Sequence, residues 1–132
     1  MNIEDNGVVV EAFRSYAQAF RSLDARAIAP HFDTPAIMVT PQGVALLPDT
    51  AAVERVYTSV MAELSVKAYD RTDFGELTER RLSHDLSTVS GSGAWITKSG
   101  AQLSRFGMTY TFRLAHQSWR IVVAIIHDPL EA

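Results

Sequence analysis

The sequence predicts an α+β fold: three N-terminal helices packed on a curved, mainly antiparallel sheet. Two observations carry this. Apolar residues recur at three- and four-residue spacing only in the first half of the chain, up to Leu64. Beyond it the period falls to two, most clearly in Arg105–Leu114, where Phe106, Met108, Tyr110, Phe112 and Leu114 alternate with Arg105, Gly107, Thr109, Thr111 and Arg113. Helical and strand periodicities segregated along one chain define the α+β class.

The first helix is expected over about Val8 to Leu23, with Val9, Phe13, Tyr16, Phe20 and Leu23 forming its apolar stripe. Asp24 reads as the N-cap of a second, short helix from Ala25 to about Phe32, limited by Pro30. Ala36–Thr40 and Val44–Leu47 form a small hairpin around the Thr40-Pro41-Gln42-Gly43 turn. Pro48-Asp49-Thr50 ends that arm and caps a third helix, Ala51–Leu64, whose stripe is Val53, Val56, Tyr57, Val60, Met61 and Leu64. Four consecutive strands follow. They are a polar edge strand over Val66–Leu77, then Leu86–Thr97, Arg105–Leu114 and Trp119–Ile126. Gly91-Ser92-Gly93 interrupts the second of these and reads as a bulge or sheet bend. The last strand is apolar on both faces and is expected to lie centrally.

With 132 residues, one domain with one substantial core is expected over the whole chain, residues 1–7 being loosely ordered. The net charge of −3 supplies no basic field for a nucleic-acid backbone. The longest apolar run, Ile121–Ile126, is six residues, far short of a membrane span. There is no cysteine, which excludes disulfides and thiolate chemistry. With no signal-peptide pattern at the start, the chain reads as cytoplasmic. No cofactor is expected. No metal site is expected either, since the four histidines lack ligand spacing; His84 and His116 read as turn residues and His31 as the surface end of a helix.

The order of elements, with a tyrosine in the first helix and Trp119-Arg120-Ile121-Val122 opening the last strand, resembles the nuclear transport factor 2-like superfamily. It looks closest to the SnoaL-like and ketosteroid-isomerase-like branch. The resemblance implies a cone-shaped, cystatin-like fold, a pocket between helices and sheet, and a homodimer built through the sheet. Tyr16, eight residues before Asp24, matches the family's oxyanion-binding tyrosine. Tyr110, two residues before Phe112-Arg113, stands where the family places a second oxyanion donor. The general-base aspartate is replaced by Thr40, ahead of Pro41, and His127 takes the place of an aromatic that flanks the base.

A threonine cannot abstract a carbon-bound proton near neutral pH, so the usual isomerase route is lost. The leading expectation is a small-molecule binder for an apolar or carbonyl-containing ligand. Tyr16 and Tyr110 would supply polar contacts, with Phe20, Thr40, Tyr57, Met61, Phe106, Met108 and Phe112 lining the pocket. The alternative is an isomerase, dehydratase or cyclase in which His127 is the base and Tyr16 and Tyr110 hold the oxyanion. A third reading is a homodimeric interaction module without a ligand.

Overall fold

The computed structural model describes residues 7–129, so the expectation of loose order at residues 1–7 lies, apart from Gly7, outside the described residues. Three helices pack against a curved, unclosed, mixed sheet of seven strands. The elements are α1 (Val8–Arg21), α2 (Ala25–Ile28), β1 (Phe32–Thr40), β2 (Gly43–Leu47), α3 (Thr50–Val66), β3 (Tyr69–Phe74), β4 (Thr78–Ser83), β5 (Leu86–Thr97), β6 (Gln102–Ala115) and β7 (Ser118–His127).

Local chemistry sets the helix starts. Asp24 accepts a hydrogen bond from Arg26 N at 3.0 Å, and Asp49 accepts one from Ala52 N at 2.9 Å, so each caps a helix by satisfying an otherwise unpaired amide. The second helix is shorter than expected: α2 ends at Ile28 and Ala29–His31 continue as a 3-10 turn. Pro30 fits the start of that turn, and Phe32 already belongs to β1.

The strand order is β2-β1-β7-β6-β5-β3, with β4 also paired to β5. As expected, β7 is central, between a parallel β1 and an antiparallel β6. The single polar strand expected over Val66–Leu77 is instead two edge strands. β3 pairs with the C-terminal half of β5 and β4 with its N-terminal half, and Gly75-Glu76-Leu77 bridges the handover. The glycines of Gly91-Ser92-Gly93 serve this handover and not a bulge, because pairing with β6 runs unbroken through them. A Cβ at Gly91 would lie 2.9 Å from Glu76 O, and one at Gly93 would lie 2.7 Å from Phe106 Cζ.

The core lies between the helices and the concave face of the sheet. The α1 stripe Val9, Phe13, Tyr16 and Phe20 and the α3 stripe Val53, Tyr57, Met61 and Leu64 are buried against Phe106, Met108, Tyr110 and Phe112 of β6. The expected alternation of Arg105–Leu114 therefore places its apolar face inward. Trp95 stacks on Phe20 at 6.2 Å between ring centres and also meets Phe106, so it is a core residue.

Candidate functional site: a buried chain of three phenols

Tyr16 enters the core from the middle of α1, Tyr57 from α3 and Tyr110 from the concave face of β6. Their hydroxyls meet. Tyr16 Oη lies 2.7 Å from Tyr57 Oη and 3.1 Å from Tyr110 Oη, so Tyr16 is the centre of a three-membered chain. Phe13, Phe20 and Phe32 surround it, with Phe13 edge-on to Tyr110 at 5.3 Å and Phe32 tilted against Tyr57 at 5.8 Å. Burial pushes all three phenols well above the ordinary tyrosine range, because ionisation would place a phenolate in an apolar interior. At neutral pH all three are protonated donors.

The proton count decides what this chain can do. Three hydroxyls carry three protons, and two hydroxyl–hydroxyl contacts use two of them. One O–H donor is left directed away from the trio. A buried donor of that kind suits an acceptor oxygen brought in by a ligand.

The structure brings Tyr16 and Tyr110 together as the sequence suggested, and adds Tyr57 to them. Tyr57 entered the sequence reading only as a lining residue. Its signal was available: a phenol in an α3 stripe that packs on the same core as Tyr16 needs a polar partner too.

His127 requires correction. Met108, Tyr110 and Phe112 share the concave face with Ile126, Ala124 and Ile121, whereas Gly107 pairs with His127 on the convex face. The His127 ring lies over Gly107, is exposed, and donates its Nδ1–H to Asp128 O at 2.7 Å. It cannot exchange a proton with anything bound at the phenols, which removes the base of the enzymatic alternative. Thr40 lies on the concave side by its alternation with Ala36 and Met38, but its Oγ1 accepts from Gln42 N at 3.3 Å in the turn.

The expected pocket lining also needs correction. Phe20, Tyr57, Met61, Phe106, Met108 and Phe112 are all buried side chains of one packed core, not the wall of an open cavity. Two grooves instead flank α1 on the surface. One, of about 330 Å³, runs between α1 and β3, with Phe13, Ala17 and Phe74 against Arg14, Arg21 and Arg71. Its arginines are matched by acids: Arg71 binds Asp73 at 2.9 Å, and Asp70 lies 3.9 Å from Arg21. Asp73 is thus exposed and paired outside the core. The other groove, of about 410 Å³, lies beside the start of β7.

His31 also differs from its expected surface role. It is half-buried, its ring stands edge-on to Tyr16 at 6.3 Å, and burial lowers its pKa. Among the described residues, no three His, Asp or Glu side chains come together as a metal-binding group. No helix there is long and apolar enough to cross a membrane.

Helices cupped by a curved sheet, with polar groups at the centre of the cup, define a cone-shaped cystatin-like protein. The chain belongs to the NTF2-like protein family DUF6841, whose profile matches residues 4–129. Solved structures agree on the fold. An NTF2-like protein with a cystatin-like fold from Novosphingobium aromaticivorans superposes with a TM-score of 0.80 at 18% identity, over 98% of this chain and 85% of that one. Aln2 from a Streptomyces species gives 0.79 at 15% identity, over 97% of this chain and 93% of that one. A domain of unknown function with a cystatin-like fold from Nostoc punctiforme also gives 0.79 at 15%, over 99% and 81% respectively. No curated protein matches the chain.

Proposed function

We propose that this chain binds a small apolar molecule through a carbonyl or similar acceptor oxygen, which takes its hydrogen bond from the phenol chain. The observation that carries this reading is the proton count: three buried hydroxyls, two mutual contacts and one donor to spare. Neutral phenols in an aromatic shell donate to an oxygen without competition from water, where such bonds are strongest. Met61 and Met108, unbranched and buried beside the phenols, can repack to admit a compact guest. The ligand is therefore small and compact. With His127 on the far face, binding rather than proton transfer is the activity the arrangement supports.

A pair of isosteric probes tests this. Cyclohexanone should raise the melting temperature of the protein in a saturable way, and methylenecyclohexane should raise it less. The triple variant Tyr16→Phe/Tyr57→Phe/Tyr110→Phe, which removes every donor of the phenol chain, should abolish the difference between the two. Equal effects of both probes, or a difference that persists in the triple variant, would refute the reading.

The second proposal concerns the convex face of the sheet, where a second copy of the chain would pair to give the homodimer. Leu46 is 72% exposed, Val44 65% and Ile37 39%, and the pairing register sets them beside Val39, Val123 and Ile125 on one surface. An apolar patch continuous over three strands is what a self-complementary interface requires. Within the chain, Arg113 Nη1 already binds Asp33 Oδ2 at 2.9 Å beside this face, so it adds no unpaired charge. A monomeric mass by light scattering at micromolar concentration would refute the pairing, as would a Leu46→Lys variant that remains dimeric.

A further inference from the structure

We propose that the groove between the N-terminal half of α1 and the start of β7 is a separate small-ligand site, in which His31 accepts a hydrogen bond from the hydroxyl of a phenolic ring. The groove encloses about 410 Å³, enough for a single ring compound, and includes Ala12, Ser15, Pro30, His31, Trp119 and Arg120. None of the three core phenols lines it, so it is distinct from the site above.

Three features of the groove point to this ligand. A neutral imidazole presents one N–H and one bare nitrogen, and among the described residues neither nitrogen of His31 has a hydrogen-bond partner. Burial holds the ring in that neutral form, with a free acceptor, at neutral pH. The second feature is the apolar wall from Ala12, Pro30 and Trp119. Arg81 lies over the Trp119 ring, its guanidinium carbon 4.8 Å from the ring centre. This braces the indole as a rigid surface against which an aromatic ring can pack.

The third feature is charge. Glu11 and Arg120 both line the groove, one charge of each sign, and Glu11 also lies 3.9 Å from Arg14. A neutral aromatic with one O–H donor matches the apolar wall and the bare imidazole nitrogen. A phenolate or a benzoate has no proton for that nitrogen and would have to accept from the imidazole N–H or from Arg120 instead.

The test uses phenol itself and the imidazole NMR signals of the intact protein. Phenol should move the His31 signals saturably, and toluene should move them at least about tenfold more weakly. Ala12→Leu fills the groove from the α1 side, leaves His31 itself unchanged and should remove the phenol response. The triple variant Tyr16→Phe/Tyr57→Phe/Tyr110→Phe should leave it intact, which separates this site from carbonyl binding at the core phenols. Equal shifts with phenol and toluene, or a phenol response that survives Ala12→Leu, would overturn the proposal. So would a response lost in the triple Phe variant but kept in Ala12→Leu.

Discussion

Removing the central hydroxyl of the phenol chain should cost far more than removing either end. Tyr16→Phe breaks both contacts at once and leaves Tyr57 and Tyr110, each only 2–3% exposed, with hydroxyls that have no protein partner. An unsatisfied buried hydroxyl costs about 1–3 kcal/mol, so two of them cost about 2–6 kcal/mol. Tyr110→Phe and Tyr57→Phe each break one contact and leave the other bond whole, a loss of about 0.5–1.5 kcal/mol. The triple Phe variant leaves no orphan and should be more stable than Tyr16→Phe, because an apolar replacement of all partners is close to neutral. Urea unfolding with a common m-value gives the comparison directly. At roughly 3–5 °C per kcal/mol for a chain of this size, Tyr16→Phe should melt about 6–30 °C below the parent. A Tyr16→Phe variant no less stable than Tyr110→Phe, or less harmful than the triple variant, would refute the chain as described.

The remaining predictions concern protons and packing. Because burial raises the native pKa of Tyr16, Tyr57 and Tyr110, the unfolded state releases protons first as pH climbs past the ordinary value of 10.0. Stability should be intact below that value and should fall above it by up to about 4 kcal/mol per pH unit, three groups at about 1.4 each. Ultraviolet titration should find these phenols silent until the fold is lost, and a group titrating normally in the folded protein would contradict their burial. For His31 the sign is opposite in pH. Its native pKa is lowered from 6.5, so the unfolded state takes the proton first, and stability present above 6.5 is lost as pH falls. His31→Phe should flatten that acid limb in denaturation curves, and an unchanged limb would contradict the assignment. Gly93→Ala would press a methyl onto the buried Phe106 ring and should destabilise by about 1–3 kcal/mol; an unchanged melting temperature would contradict the packing account.

The parts of this architecture that were legible in the sequence are those where one periodicity dominates. The α1 stripe, the α3 stripe and the alternation through Phe106, Met108, Tyr110 and Phe112 each point one way, and together they bring Tyr16 and Tyr110 into contact. The break between β3 and β4 was hidden because an edge strand need not alternate, so Gly75-Glu76-Leu77 looked like more of the same polar run. The facing of His127 was hidden by its neighbours. Ile121–Ile126 is apolar on both faces of a central strand, so nothing in its pattern sets parity, and an irregularity near Val122 shifts the count. His31 was read from its place at a helix end, yet the 3-10 turn after Ile28 swings it inward against Tyr16. Open space is the hardest property to read from residue type. Phe20, Met61 and Phe106 suit a pocket wall and a filled core equally, and here they fill the core.

Whether the spare phenol proton receives a ligand oxygen can be read from the carbonyl stretch of bound cyclohexanone. A carbonyl accepting from a buried phenol should absorb at lower frequency than one in an apolar solvent, and the triple variant Tyr16→Phe/Tyr57→Phe/Tyr110→Phe should return it toward the apolar value. A bound carbonyl with an apolar-solvent frequency in the parent protein would contradict the account.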